Sequence, residues 1–225
     1  MRIAVIVPVL NEEKTIAASV RAVQWLAPDE LVIVDGGSTD RTAQICAELN
    51  VNCVAAPRGR APQMNFGAAR TTSEILLFLH ADTRLPDSAF GDIRAALIDA
   101  DCIGGRFDVR LDSDRAMHKI IGAMISLRSR LSKVGSGDQA IFIRRAEFER
   151  LGGFPEIPLM EDIALSRTMK RAGKVACLRS RVITSARRWE IEGVWCTIFK
   201  MWTLRSLYLL GVSPANLKRF YDDGR

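Results

Sequence analysis

Four short apolar runs, separated by segments of helical period, constrain this chain more than any other feature. Residues 2–9 (RIAVIVPV), 30–34 (ELVIV), 51–55 and 74–79 are rich in β-branched or aliphatic side chains and too short for helices. Between the first two runs, Ile16, Val20 and Val23 recur at helical spacing and end near Leu26. Asn11 is expected to cap that helix, with Glu12 and Glu13 where its dipole favours acids. Asp40 is expected to cap a second helix through about Leu49, and Pro62 to open a third over 62–70. Strand and helix alternating at this spacing predict βαβ units, an α/β fold with a mainly parallel sheet and helices on both faces. In such sheets ligands sit beyond the carboxyl ends of the strands. Pro8 to Asn11, Asp35 to Ser38 and His80 to Arg84 all follow strands, so three strand ends are expected to meet at one cleft.

The second half is less regular. A helix is expected around 87–99, a strand over 103–111 and a basic helix over 113–133. A strand over 138–143, a helix over 161–172 and a short strand near 174–178 follow. With no internal repeat or linker, the economical reading is one domain over residues 1–190 and a C-terminal helical extension over 191–225. Within that extension, residues 191–212 are rich in Trp, Phe, Leu and Tyr but are interrupted by Lys200 and Arg205. Such a segment packs on the core, meets a partner, or lies in a membrane interface with its basic residues toward headgroups.

The net charge of +6 suits an anionic partner but selects none. Nucleic acid is the poorest candidate, because the basic residues are dispersed and no known nucleic-acid module is present. Five scattered cysteines without a C-x-x-C pair argue for reduced thiols and a cytoplasmic protein. The opening MRIAVIVPVLNEE lacks the features of a signal peptide, and no apolar stretch reaches the length of about 18 residues that spans a bilayer.

Four motifs carry chemical potential, each with a bland alternative. VDGGSTD at 34–40 lets a ligand approach the backbone closely beside Asp35, or is a tight turn. In HADT at 80–83, Asp82 offers oxygen to a divalent cation whose remaining ligands come from substrate phosphates, or it caps a turn. In MEDIALS at 160–166, Glu161 and Asp162 serve a helix dipole, or one is a general base. SARRWE at 185–190 presents two guanidinium forks to a diphosphate, or a solvated basic face packed on Trp189.

The ordered series P-x-L-N-E-E, D-G-G-S-T-D, G-R-A-P-Q-M-N-x-G, H-A-D, G-G-F-P-E, E-D and R-R-W spans residues 2–190 and resembles the family-2 nucleotide-sugar glycosyltransferases of GT-A fold. The stretches GRAPQMN, LHADTRLP, GDQAIF, PLMED and SARRWE are similar to a radical-SAM-associated bacterial subgroup labelled arsenosugar-biosynthesis glycosyltransferases. The resemblance implies that Pro8, Leu10, Asn11, Glu12, Asp35 and Gly37 line the nucleoside pocket, and that Arg60, Gln63 and Asn65 face the nucleotide. Gly36 stands where many relatives carry a second aspartate. HADT matches the metal-binding D-x-D, implying Mn²⁺ or Mg²⁺ at Asp82 beside Ala81. His80, replacing the first aspartate, is open to three roles: extra metal ligand, sugar-phosphate contact or packed histidine. Asp138 and Gln139 are implied as sugar or acceptor contacts, and Arg187, Arg188 and Trp189 as diphosphate or acceptor contacts. Asp162, with Glu161 beside it, is implied as catalytic base.

The activity implied is inverting transfer from a UDP- or GDP-type sugar donor to a small-molecule or lipid-linked acceptor. The implied place is the cytoplasm, with peripheral contact at the inner face of the membrane left open. A non-catalytic nucleotide- or sugar-binding protein of the same fold is the alternative from another class. A sugar nucleotidyltransferase is a weaker one, since PVLNEE is unlike its glycine-rich first loop.

Overall fold

Seven consecutive buried residues form β1 (Ile3–Val9), a continuous apolar strand of the kind a parallel sheet covers on both faces. In the computed structural model, which describes residues 1–221, the chain continues through α1 (Ile16–Trp25), β2 (Glu30–Asp35), α2 (Thr42–Glu48), β3 (Asn52–Ala55), α3 (Arg60–Ala68) and β4 (Ile75–Phe78). Then follow β5 (Thr83–Arg84), α4 (Ala89–Ala96), β6 (Cys102–Leu111), α5 (Ala116–Ser132), a 3-10 turn (Gly137–Gln139), β7 (Ile141–Arg144) and α6 (Arg145–Arg150). The last elements are α7 (Glu161–Ala172), β8 (Lys174–Thr184), α8 (Arg187–Ile191), α9 (Val194–Leu209) and α10 (Pro214–Lys218).

One sheet has the order β3-β2-β1-β4-β7-β6-β8-β5. Strands β1 to β4 run parallel, β7 is antiparallel to both its neighbours, and β6 and β8 are parallel again. This is the expected α/β architecture. The period of two along β1 divides the core: Ile3, Val5, Val7 and Val9 pack with α1 and α4, while Ala4 and Ile6 pack with α3 and α7. Each fully buried aliphatic side chain contributes about 1.5–3 kcal/mol.

The register aligns the strand ends. Val9 pairs with Asp35, and Ile6 with Phe78, so the loops after β1, β2 and β4 leave from one rim. Three expectations change in detail. Asn11 does not cap α1; it sits in the left-handed region (φ 54) and its Oδ1 accepts from the Thr39 N–H at 2.8 Å, so the helix starts only at Ile16. The strand expected over 138–143 is shortened, because 137–139 wind into the 3-10 turn. β8 is long rather than short, since parallel pairing with β6 supports a sequence whose Arg179 and Arg181 interrupt its apolar character.

No helix among the described residues is long and apolar enough to cross a membrane. α9 buries only Thr197 and Leu204, leaving Trp195, Phe199 and Trp202 65–76 % exposed. Residues 222–225 of the expected extension lie outside the described residues.

Candidate active site

The first two loops of the rim brace each other through polar contacts. Asp35 is buried, and its Oδ1 accepts from the Ser38 N–H at 3.0 Å and from the Ser38 hydroxyl at 2.6 Å. Ser38 Oγ in turn accepts from the Asn11 N–H at 2.9 Å, and Thr42 Oγ1 from the Glu12 N–H at 2.8 Å. Asp40 Oδ1 accepts from the Thr42 N–H at 2.9 Å and fixes the start of α2. Gly37, at φ 87, turns the loop through a conformation that a side chain would strain. Leu10 is buried, Pro8 pairs with Val34 within the sheet, and Glu12 Oε2 accepts from the Thr15 hydroxyl at 2.8 Å.

Gln63 does not face a nucleotide. It is 4 % exposed, and its Nε2 donates to the carbonyls of Val9 (2.8 Å) and Val34 (2.7 Å), clamping the ends of β1 and β2. That clamp accounts for Gly36. A Cβ there would stand 2.9–3.1 Å from the three terminal atoms of the Gln63 amide. Gly36→Ala is therefore expected to destabilise the protein by about 1–3 kcal/mol. With Gln63→Ala present, the second change should be non-additive, as thermal unfolding of the two single variants and the double variant would reveal. Asn65 is likewise committed, donating from Nδ2 to the Phe154 carbonyl at 2.8 Å and accepting the Phe154 N–H at 2.9 Å.

The third loop faces the 3-10 turn. Asp82 is exposed just beyond β4, and the buried Ala81 carbonyl accepts from the Ser19 hydroxyl. His80 is turned toward the 3-10 turn. Its Nδ1 lies 3.5 Å from Asp138 Oδ1, and a Cβ at Gly137 would be 2.5 Å from both Cε1 and Nε2. Asp138 is recessed in the cleft but about half open to solvent. Recession pushes its carboxyl up, yet the His80 hydrogen bond, with the charges of His80, Arg60 and Arg188, outweighs this and holds it at about 2.

Asp162 closes the arrangement from the start of α7. Its Oδ2 accepts from the Gly137 N–H at 2.6 Å and its Oδ1 from the Ile163 N–H at 2.7 Å, so the carboxylate is fixed in place and only half-buried. Glu161 beside it is 4 % exposed, with Oε1 4.0 Å from Arg60 Nη1. Burial first, and then the Asp162 charge, push the Glu161 carboxyl up, with Arg60 opposing. Of the two acids, Asp162 is the more exposed, and its carboxylate is held by two backbone N–H groups.

The remaining expected contacts divide. Gln139 is fully buried and serves structure: Nε2 donates to the Phe107 carbonyl (3.1 Å) and to Ser129 Oγ (2.8 Å), and Oε1 accepts the Ser136 N–H. Trp189 packs against Leu111, Ile121 and Ala186 rather than lining the cleft. Arg188 donates to the Tyr221 hydroxyl, stacks 4.7 Å above that ring and bears electrostatically on Asp138; Arg187 is exposed at the start of α8. Sequence reasoning missed Gly137 and Tyr221. The glycine before Asp138 was the available signal for the first, and nothing local marked the second.

Among the described residues no group of three or more His, Cys, Asp or Glu could hold a metal ion unaided. A single exposed carboxylate at a strand end fits the other mode, in which a hard cation takes one or two protein oxygens and the rest from substrate phosphates.

A profile of Glycosyl transferase family 2 matches residues 4–151. The O-antigen chain rhamnosyltransferase RfbN of Salmonella typhimurium (strain LT2) is 27% identical over 212 residues, covering 81% of this chain and 66% of that protein. S. aureus TarS 1-349 in complex with UDP-GlcNAc superposes with a TM-score of 0.67 at 20% identity, over 82% of this chain and 58% of that one. Glucosyl-3-phosphoglycerate synthase from Mycobacterium tuberculosis, in complex with Mn²⁺, UDP and glucosyl-3-phosphoglycerate, gives 0.60 at 22% identity, over 80% and 70%. The chain thus spans about two thirds or less of the length of the first two relatives. The two solved structures establish the fold, a GT-A sheet with flanking helices.

Proposed function

We propose that this chain, which belongs to glycosyl transferase family 2, moves a sugar from a nucleoside-diphosphate sugar to an acceptor hydroxyl with inversion at the anomeric carbon. The observation that carries the reading is the joining of two halves of the cleft. The loop after β4 contacts the 3-10 turn through His80 and Asp138, and the same turn holds Asp162 through the Gly137 N–H.

Asp162 takes the proton of the acceptor hydroxyl as that oxygen bonds to the anomeric carbon. The bond from that carbon to the β-phosphate oxygen breaks, and the nucleoside diphosphate leaves with the electron pair on the opposite face. The nucleoside lies along Leu10, Asn11, Asp35 and Gly37, and Arg187 and Arg188 offset charge on the departing diphosphate. Asp82 would hold Mn²⁺ or Mg²⁺ against the diphosphate, where the cation neutralises the charge that develops as the bond breaks. UDP is the nucleotide named in the solved relatives and the first donor class to test, with GDP the second. The motif details GRAPQMN and SARRWE support placing the chain in the radical-SAM-associated, arsenosugar-type subgroup.

The test is a panel of UDP- and GDP-sugars incubated with the protein and divalent metal, followed by proton NMR of the anomeric signals. Release of one nucleoside diphosphate, with product of inverted configuration, is expected. Retention of configuration would remove the single-displacement mechanism.

The division into a catalytic part (1–190) and an extension (191–225) belongs to this proposal, as does a cytoplasmic location. The exposed face of α9, with a groove of about 620 Å³ lined by Trp195, Phe199 and Trp202 among others, supports seating at a membrane interface. Cosedimentation with anionic phospholipid vesicles is expected, and a variant with those three residues changed to serine should remain in the supernatant. Equal pelleting of both forms would contradict the membrane role.

A further inference from the structure

Three arginines gather beside Asp162 with hydrogen-bonding capacity left unused. Arg106 of β6 is 2 % exposed; its Nη1 donates to Asp108 (2.9 Å) and to the Phe107 carbonyl (3.2 Å), but its Nε and Nη2 have no partner among the described residues. Arg205 of α9 buries an Nη2 that is also without a partner among the described residues. Arg128 of α5 is half-buried and makes no hydrogen bond or salt bridge with any described residue.

Packing gathers the three around the turn that holds Asp162: a Cβ at Gly135 would lie 3.2 Å from Arg106 Cγ, Ser129 beside Arg128 accepts from Gln139 at 2.8 Å, and Leu204 beside Arg205 packs with Met160 and Ile163 on either side of Asp162. Burial, and then Arg205, pull Arg128 down to about 10, with Arg106 adding to the effect. Burial likewise lowers Arg205. Asp162 and then Asp138 are the acids that favour the charged form of both Arg128 and Arg205, yet neither forms a salt bridge with them. A buried guanidinium N–H without an acceptor is costly, and a group of them more so. An anionic oxygen group set among them would satisfy those donors.

Position decides which substrate brings that group. The donor's nucleoside lies along the ends of β1 and β2 and its diphosphate at Asp82 after β4. Arg128 and Arg205 come instead from α5 and α9, in the second half of the chain, and the acid that bears on them most is Asp162. We propose that Arg128 and Arg205, backed by Arg106, form an oxyanion subsite on the acceptor side of Asp162, and that the acceptor carries a phosphate or carboxylate there. That the anion belongs to the acceptor rests on Asp162 as the base of the proposed reaction; the anion subsite itself does not.

The test uses the full chain and inorganic phosphate as probe, titrated by calorimetry with and without saturating UDP and Mg²⁺, on wild type, Arg205→Met and Arg128→Met. Phosphate is expected to bind wild type whether or not UDP is present. Either substitution should weaken it about tenfold or more, as loss of a charged hydrogen bond does, with UDP affinity nearly unchanged. The unliganded variants should melt no lower than wild type, because an unpaired buried charge has been removed. Competition between phosphate and UDP would assign the arginines to the donor diphosphate and overturn the proposal. So would phosphate affinity indifferent to both substitutions, or no binding to wild type. Should UDP itself fail to bind, the donor reading fails separately, and the phosphate titrations still decide on the arginines.

Discussion

Asp162→Asn is expected to lower turnover by about 10² to 10⁴, the usual contribution of a positioned general base. The amide keeps the size of the carboxylate, and its oxygen can still accept the Gly137 N–H that Oδ2 accepts at 2.6 Å. Donor affinity should therefore change by less than about threefold. The two effects together identify the role, since a residue that only shaped the cleft would alter binding and turnover in parallel. Glu161→Gln makes the comparison sharper. Glu161 is buried against Arg60, and burial already pushes its carboxyl up, so neutralising it should cost far less activity. Steady-state rates with the best donor from the panel check both variants. A loss confined to Glu161→Gln would move the base to that residue.

Gly137→Ala should be damaging out of proportion to one methyl group. Its backbone is not in the left-handed region, so the effect is one of space. The added carbon would lie 2.5 Å from Cε1 and Nε2 of His80 and 3.6 Å from Asp162 Oδ2. Either the imidazole moves and gives up Asp138, or the turn moves and gives up Asp162. Overpacking of this kind costs about 1–3 kcal/mol, and turnover should fall as well, because a displaced turn releases the base. His80→Ala in the same chain should restore stability without restoring full turnover. Thermal unfolding and rates on the two single variants and the double variant measure this. A Gly137→Ala protein as stable and active as wild type would show that His80 and the turn are not packed as described.

Sequence pattern made the rim of the sheet legible because the governing forces are local. Apolar runs, β-branched in β1 and β2 and mostly Leu and Phe in β4, fix these strands, and their register alone brings Asp35 and the 80–84 loop to one edge. The amide side chains were not legible. Gln63, Asn65 and Gln139 read as polar residues in motif positions, yet each binds backbone 54, 89 and 32 residues away. Such partners exist only once the fold has formed, and no spacing rule announces them. Gly36 shows the same limit: what reads as a lost aspartate is the space that the Gln63 clamp needs. His80, the least explained residue of the sequence, acquires a role only when Gly137 and Asp138 arrive from the far half of the chain. For Arg205 a signal was present, since a charge interrupting an otherwise apolar helix calls for a partner, but the sequence does not say that Arg128 and Arg106 stand beside it.

The most direct test of the donor cleft is calorimetric titration of UDP, then GDP, into wild type and Asp82→Ala, each with and without Mn²⁺. One nucleotide is expected to bind wild type more tightly when Mn²⁺ is present, and Asp82→Ala to lose this enhancement while keeping metal-free binding through the Asp35 loop. Metal-enhanced binding that persists unchanged in Asp82→Ala, or no nucleotide binding by wild type under any condition, would contradict it.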